Sequence, residues 1–191
     1  MYNNIIIETE RLIIRNFSMD DVEDYHKIIN SNYIMDIIPF SESRSYDEAK
    51  ESVERLVNVY EKTGPSNFIW LFLAVVEKAS NKVIGFEAVA KLTYDKSQKE
   101  LFYGFFKEYW NKGYAGEATQ AMCNFIFNDI GFEVDKVACI MNPENKASLK
   151  IIDKLGAKYG HVIEEDTKEY DSYTGEIYYS ISKDDFLRRV G

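Results

Sequence analysis

A short segment of the chain, Trp110–Ala118, combines residue types that could bind an anion. Gly113, Ala115 and Gly116 carry little or no side chain, so consecutive backbone N–H groups can converge on one negative group in front of a helix. The helix dipole favours negative charge at the same point. The segment therefore predicts a pyrophosphate cradle, although a small-residue turn leading into a helix fits the same pattern.

A second segment, Asn142–Ser148, could place a proton donor in a cleft. Asn142 can cap a helix and Pro143 fits the first helical position, which leaves Asn145 free for other contacts. Ser148 begins the apolar stripe of that helix. Its hydroxyl either donates a proton in a cleft or hydrogen-bonds back to a helix carbonyl.

The charge pattern contrasts one basic helix face with an acidic chain. Lys146, Lys150 and Lys154 recur every four residues, which is typical of a solvated face but also fits a phosphate contact. Lys and Arg total 23 against 32 Asp and Glu, giving a net charge of -9. This sign is wrong for binding nucleic acid or an acidic membrane, and it favours a cationic or small-molecule partner.

The elements that must position these segments form an α+β chain with a largely antiparallel sheet and one crossover helix between two strands. Seven strands are predicted, at about 11–15, 68–76, 83–93, 99–106, 137–141, 160–165 and 176–183. Four helices are predicted, at about 18–30, 45–60, 116–130 and 143–155. The first segment then lies between a strand and a helix, and the second follows a short buried strand.

Length and composition indicate one domain, spanning 1–191, in a reducing compartment. The chain has 191 residues, 46% of them hydrophobic, which is enough for one core. Cys123 and Cys139 lie in apolar stretches and pack as small hydrophobes, while His26 and His161 show no metal-ligand spacing. The longest apolar run, Phe68–Val76, is too short to span a membrane. We expect a cytoplasmic protein that binds no metal, membrane or nucleic acid.

A dinucleotide-binding unit is a competing interpretation of the glycine-containing segment. Glu133 and Asp135 lie near the offset of about 20 residues at which a ribose-binding acid is expected. Both residues precede the predicted strand at 137–141, however, and Asn142 stands at its end. A nicotinamide-binding enzyme is therefore disfavoured.

Three blocks of residues carry a resemblance to a known family. They are Glu8–Arg15 (ETERLIIR), Glu108–Ala118 (EYWNKGYAGEA) and Asn142–Gly156, and they span nearly the whole chain. In order and spacing they resemble the GNAT acetyltransferase superfamily, and within it the branch of the ribosomal-protein N-terminal (serine/alanine) acetyltransferases. The resemblance implies a mixed, mostly antiparallel twisted sheet of about seven strands flanked by about four helices. It also implies a splay between predicted strands 4 and 5, with acetyl-CoA lodged there as cosubstrate.

The same resemblance implies site residues by position. The pyrophosphate of acetyl-CoA would be bound by the backbone N–H groups of Asn111, Lys112, Gly113, Tyr114, Ala115 and Gly116. The pantetheine arm would pair with the backbone of Phe105 and contact Asn142 and Asn145. Ser148 would lie beside the thioester sulfur. Many relatives use a tyrosine as general acid, and its position here is Ile152, so the acid role moves to Ser148.

A carboxylate is expected to help the attacking amine lose its proton. Glu100 matches an acidic position common in this branch, and Asp166 falls near an acid that some relatives carry. Glu87 interrupts an apolar strand pattern. Each of the three also fits an ordinary surface carboxylate, and we rank them Glu100, Asp166, Glu87.

These observations predict an acetyl-CoA-dependent N-acetyltransferase in which a primary amine attacks the thioester directly. A protein N-terminus, a polyamine, an antibiotic and a small amine all fit as acceptors. The alternative is a non-catalytic module of the same fold that binds or senses CoA, because the tyrosine position holds Ile152. A monomer and a homodimer are both compatible with the sequence.

Overall fold

The computed structural model describes residues 1–35, 45–92, 95–164 and 173–190. The described residues form a mixed sheet of eight strands in the order β1-β2-β3-β4-β5-β6-β8-β7. The strands are β1 (Ile6–Glu8), β2 (Leu12–Asn16), β3 (Trp70–Glu77), β4 (Lys82–Lys91), β5 (Lys99–Phe105), β6 (Lys136–Met141), β7 (Lys158–Val162) and β8 (Ile177–Ser182). The predicted α+β class and mostly antiparallel sheet are confirmed.

Within the described ranges, five helices of two turns or more and one single-turn helix accompany the sheet. They are α1 (Val22–Ile29), the single turn α2 (Asn32–Met35), α3 (Tyr46–Lys62), α4 (Tyr114–Asn124), α5 (Lys146–Lys154) and α6 (Lys183–Val190). A π-helical turn, Phe125–Asp129, extends α4. The start of α3 is a capping box, because the Ser45 hydroxyl accepts from the Glu48 N–H at 3.3 Å and the Glu48 carboxylate accepts from the Ser45 N–H at 2.7 Å.

Strand β5, which leads into the first segment, pairs in parallel with strand β6, which leads into the second segment. The β5–β6 ladder joins Lys99 to Val137 and Glu100 to Ala138. Helix α4 is the predicted crossover between these two strands. Both pairs lie at the starts of their strands, and the splay between the two strands stays a prediction.

The chain packs as two compact units. The first comprises Met1–Ala88 and Tyr103–Met122, and its core stacks Phe72 on Phe86 with ring centroids 4.4 Å apart. The second comprises Val89–Phe102 and Cys123–Gly191, and its core includes Leu92, Ala138 and Tyr178. The single domain over 1–191 stays a prediction. Within the described ranges, no helix combines the length and the apolar character that crossing a membrane demands.

Three elements were not predicted: β1, α2 and α6. Strand β1 has only three residues and pairs with β2, and α2 is a single turn. The start of helix α6 has a capping residue that the sequence shows: the Ser182 hydroxyl accepts from the Asp185 N–H at 3.1 Å. Its Phe186 is buried, and the Lys183 ammonium donates to the Phe127 carbonyl at 2.7 Å, at the π-helical turn.

Candidate active site

The predicted pyrophosphate segment is an exposed loop that ends in the first turn of α4. A 3₁₀ turn, Lys107–Tyr109, follows β5, and α4 begins at Tyr114. Asn111 and Gly113 both have left-handed backbone, with φ of 58° and 82°. Single left-handed residues of this kind turn neighbouring N–H groups to one side and form anion-binding concavities. The helix starts two residues earlier than predicted, so its N-terminus directly follows Gly113.

Space at the start of α4 is open. A Cβ added to Gly116 would meet nothing within 4 Å, and a Cβ added to Gly113 would lie 3.3 Å from a guanidinium nitrogen of Arg11. The backbone of the first helical turn is therefore accessible to a ligand at Gly116. This open space leaves room for an anion such as a pyrophosphate at the backbone of Gly116.

Phe105 ends β5 with its carbonyl already occupied by a hydrogen bond. The indole Nε1 of Trp110 donates to this carbonyl at 2.7 Å, and the indole is 47% exposed. The next residue, Phe106, donates its N–H to the Ile84 carbonyl of β4 at 3.1 Å. This hydrogen bond was not predicted, because an indole N–H within reach of its own strand end has no signature in the residue spacing.

The second segment is built differently from the prediction. The Asn142 side chain accepts from the Glu144 N–H at 2.9 Å and closes a turn before the helix. Helix α5 begins at Lys146, and its cap is Asn145, whose side chain accepts from the Ser148 N–H at 3.1 Å. The expectation that Asn142 caps the helix and leaves Asn145 free is therefore wrong. Asn145 keeps only its amide NH₂ for other contacts.

Ser148 is half-buried in the first turn of α5, at the head of the predicted stripe. Ile152, one turn further on, is buried, as predicted. The carbonyl four residues before Ser148 belongs to Glu144, lies outside the helix and accepts from the Lys146 N–H at 2.8 Å. This position disfavours the back-bonded serine of a helix interior. Lys146, Lys150 and Lys154 are all exposed.

Glu100 is a buried acid near the start of β5, not a surface carboxylate. Its side chain is 7% exposed, and the Tyr173 hydroxyl makes a long hydrogen bond of 3.4 Å to it. The pKa of Glu100 is raised to about 7: burial raises it most, the hydrogen bond from Tyr173 lowers it, and repulsion from Glu176 raises it again. An acid with this pKa exchanges protons near neutral pH, as a general base requires. Asp166, the second candidate, lies outside the described residues.

Glu87 in β4 is fully buried, so a surface position is wrong for this residue too. The Thr119 hydroxyl lies 2.9 Å from one Glu87 oxygen and 2.7 Å from the Ala115 carbonyl. A hydroxyl has one proton, so the three groups are satisfied when Thr119 donates to Ala115 and a protonated Glu87 donates to Thr119. Burial raises the pKa of Glu87 well above its ordinary value. A carboxyl that keeps its proton cannot serve as the base.

Comparison with known proteins points to one family. The model of the acetyltransferase (GNAT) domain matches residues 11–158. The uncharacterized N-acetyltransferase YnaD of Bacillus subtilis is 24% identical over 183 residues, which are 94% of this chain and 98% of YnaD.

Two solved structures share the fold at low identity. Ribosomal-protein-S5-alanine acetyltransferase from Vibrio fischeri superimposes with a TM-score of 0.74 at 18% identity, over 96% of this chain and 99% of that one. Spermidine N-acetyltransferase from Vibrio cholerae, in complex with CoA and spermine, gives a TM-score of 0.72 at 18% identity, over 94% of this chain and 99% of that one.

Proposed function

Because the chain belongs to the GNAT acetyltransferase family, we propose that it transfers the acetyl group of acetyl-CoA to a primary amine. The amine nitrogen attacks the thioester carbon directly, the C–S bond breaks, and CoA leaves as a thiolate. The loop at 110–116 is the observation that carries this proposal. Its left-handed residues and open backbone precede a helix N-terminus, which supplies donors for a pyrophosphate.

Acetyl-CoA supplies the activated acyl group, and this chain's residues hold and orient it. Backbone N–H groups from Asn111 to Gly116 bind the pyrophosphate in this proposal. The Phe105 N–H pairs with the pantetheine arm, because the Phe105 carbonyl already accepts from Trp110. Asn142 and the amide NH₂ of Asn145 contact the same arm.

Two side chains move protons in the proposed reaction. Glu100 takes the proton that the amine must lose, and its pKa of about 7 lets it do so near neutral pH. Ser148 lies beside the sulfur and protonates or stabilises the departing thiolate. An α-amine, with an ordinary pKa near 7.7–8, needs less help from Glu100 than a lysine-like amine near 10.4.

The acceptor belongs to the primary amines. The relatives above that are named for an acceptor act on a ribosomal-protein alanine or on spermidine, and the net charge of -9 here favours a cationic amine. We place the protein in the cytoplasm because Cys123 and Cys139 are buried thiols that form no disulfide, and we expect a monomer or a homodimer.

An acceptor screen tests the proposal. Purified protein is given acetyl-CoA with a peptide bearing a free N-terminus, a polyamine, an aminoglycoside or a small amine, and thiol release is followed. Release that depends on one acceptor class supports the transferase and identifies the acceptor. Tight acetyl-CoA binding without release on any amine would instead favour the non-catalytic CoA-binding module.

A further inference from the structure

The N-terminal motif that carries part of the family resemblance has no assigned role, and its arginine contacts the candidate pyrophosphate loop. Arg11 Nη1 donates to the Lys112 carbonyl at 2.9 Å. Its Nε donates to Glu117 Oε2 at 2.7 Å, and Nη2 lies 2.6 Å from the same oxygen. The guanidinium carbon stands 4.5 Å from the centroid of the Tyr114 ring. One side chain thus contacts the loop, the first helical residue and the first turn of α4.

The other oxygen of Glu117 is held by the same N-terminal motif. The Thr9 hydroxyl donates to Glu117 Oε1 at 2.6 Å, and the Arg11 N–H donates to it at 2.9 Å. Burial alone would raise the pKa of Glu117, but these hydrogen bonds and the Arg11 charge lower it overall. Glu117 is therefore an ionised carboxylate in the first turn of the helix proposed to receive an anion.

Two features of this loop would oppose anion binding if Arg11 were absent. A loop that offers N–H groups to an anion must direct its carbonyl oxygens elsewhere, and Arg11 holds the Lys112 carbonyl. An unpaired carboxylate near the bound pyrophosphate would repel it, and Arg11 neutralises Glu117. The same guanidinium lies beside Gly113, where an added Cβ would come within 3.3 Å of it.

We infer that Arg11 is a positioning residue for the pyrophosphate of acetyl-CoA: it holds the Lys112 carbonyl away from the ligand and cancels the charge of Glu117. This inference rests on the proposed function. Arg11 acts through the loop and α4, because its Nε, Nη1 and Nη2 atoms are all engaged with protein oxygens.

The test compares two donors that differ in the pyrophosphate. Dissociation constants of acetyl-CoA and of S-acetylpantetheine, which lacks the pyrophosphate and the nucleotide, are measured by calorimetry. Arg11→Gln should weaken acetyl-CoA binding by about 10- to 100-fold, the range expected for lost hydrogen bonds to charged groups. The same variant should change the dissociation constant of S-acetylpantetheine by no more than about twofold from that of the natural chain. Arg55→Gln, on an exposed arginine of α3 that pairs with Glu51, is the matched control and should change neither constant.

Further variants separate positioning from direct contact. Arg11→Lys keeps the positive charge but loses the planar guanidinium with its several N–H donors. We therefore expect a loss of acetyl-CoA affinity smaller than that of Arg11→Gln. Arg11→Gln combined with Glu117→Gln should recover at least half of the lost affinity on a logarithmic scale, because the exposed carboxylate is gone.

Three results would overturn the inference. Equal losses for both donors would make Arg11 a structural residue only, and a double variant as weak as Arg11→Gln would show that Arg11 does not act by neutralising Glu117. Unchanged acetyl-CoA binding in Arg11→Gln would show that the loop does not need it. If the natural chain binds no acetyl-CoA, the proposed function fails as well, which the first titration reveals.

Discussion

The hydroxyl of Ser148 is the group proposed to protonate or stabilise the departing thiolate. Its interaction with the departing thiolate is stronger in the transition state than with the thioester, so Ser148→Ala should lower kcat more than it weakens acetyl-CoA binding. A thiolate leaves tolerably well without an acid, and we expect a loss of about 10- to 100-fold in kcat. Measuring kcat beside the acetyl-CoA dissociation constant checks this. Equal losses would make Ser148 a binding residue, and no loss would exclude both roles.

The buried carboxyl of Glu100 predicts the pH dependence of the reaction. A base must be deprotonated to act, so log(kcat/KM) should rise with pH up to about 7, the pKa to which burial raises Glu100. Glu100→Gln should remove this limb and lower the rate by about 10²- to 10⁴-fold. Glu176→Gln is the matched variant, because losing a repelling carboxylate should move the limb to lower pH. An unaltered profile in Glu100→Gln would leave the role to Asp166 or to water.

The sequence identifies the candidate carboxylates but does not predict how deeply each one is buried or what it contacts. Glu100 is a candidate by family resemblance and Glu87 by its place in an apolar strand pattern, and both also fit a surface position, yet burial and neighbours separate a base candidate from a core acid. The Thr119 hydroxyl that satisfies Glu87 is 32 positions away in sequence. Contacts at such separation leave no periodic signal in the chain.

Among the structural elements, the loop before α4 allows a prediction of what replacing Gly113 does to ligand binding. Acetyl-CoA at about 100 times its dissociation constant should add roughly 2.7 kcal/mol to the stability of the natural chain. Gly113→Asp should erase this stabilisation, because it places a Cβ and a carboxylate at a left-handed position beside the proposed pyrophosphate. Thermal unfolding with and without acetyl-CoA measures the effect.

Gly175→Asp is the control for that experiment. Gly175 has the same left-handed backbone, with φ of 83°, and an added Cβ there meets nothing within 4 Å. The control therefore carries the same backbone strain outside the loop, and it should retain the full response to acetyl-CoA. A folded Gly113→Asp variant that is still stabilised would refute the cradle.

Helix boundaries are less predictable than helices. The capping box of α3 is local, since Ser45 and Glu48 are three residues apart, and this spacing predicts where the helix starts. In the second segment both Asn142 and Asn145 are competent caps, and Pro143 fits a turn as well as a first helical position. The choice depends on where the chain leaves β6, which is a tertiary property. The sequence could therefore place α5 but not its cap.

At the scale of the whole molecule, the order of the elements was predictable because each strand and helix carries its own hydrophobic period. Among the residues that the structure describes, the sheet has one more strand than predicted, since the three residues of β1 are too few to show alternation. Helix α6 was not predicted because the predicted strand at 176–183 covers its first residue, Lys183. A serine followed three residues later by an aspartate, Ser182 and Asp185, marks that helix start.

The protonated Glu87 predicts how global stability depends on pH. The unfolded carboxyl titrates near 4.3, whereas burial raises the native pKa well above this. Between the two values the unfolded chain has released a proton that the native chain retains, so the free energy of unfolding falls as pH rises, by about 1.4 kcal/mol per pH unit. Glu87→Gln should flatten this slope and be more stable than the natural chain at pH 8.

Denaturant unfolding at several pH values measures the effect of Glu87→Gln. Glu54→Gln, on the exposed face of α3, is the control and should follow the natural chain. Parallel curves for Glu87→Gln and the natural chain would show that Glu87 is ionised in the native state. Its second oxygen has no hydrogen-bond partner among the described residues, so the ionised form gains little there.

The indole of Trp110, which is hydrogen-bonded to the end of β5, is also an intrinsic fluorescent probe of the candidate loop. The chain has two tryptophans, Trp70 and Trp110, and only the second lies at the candidate loop. The Trp110 ring meets Tyr33 edge to face at 5.6 Å, and the Lys107 ammonium lies 5.9 Å from it. Its emission is therefore sensitive to any displacement of the loop. With Trp70 replaced by Phe, fluorescence would report occupancy of the site in real time, without a label.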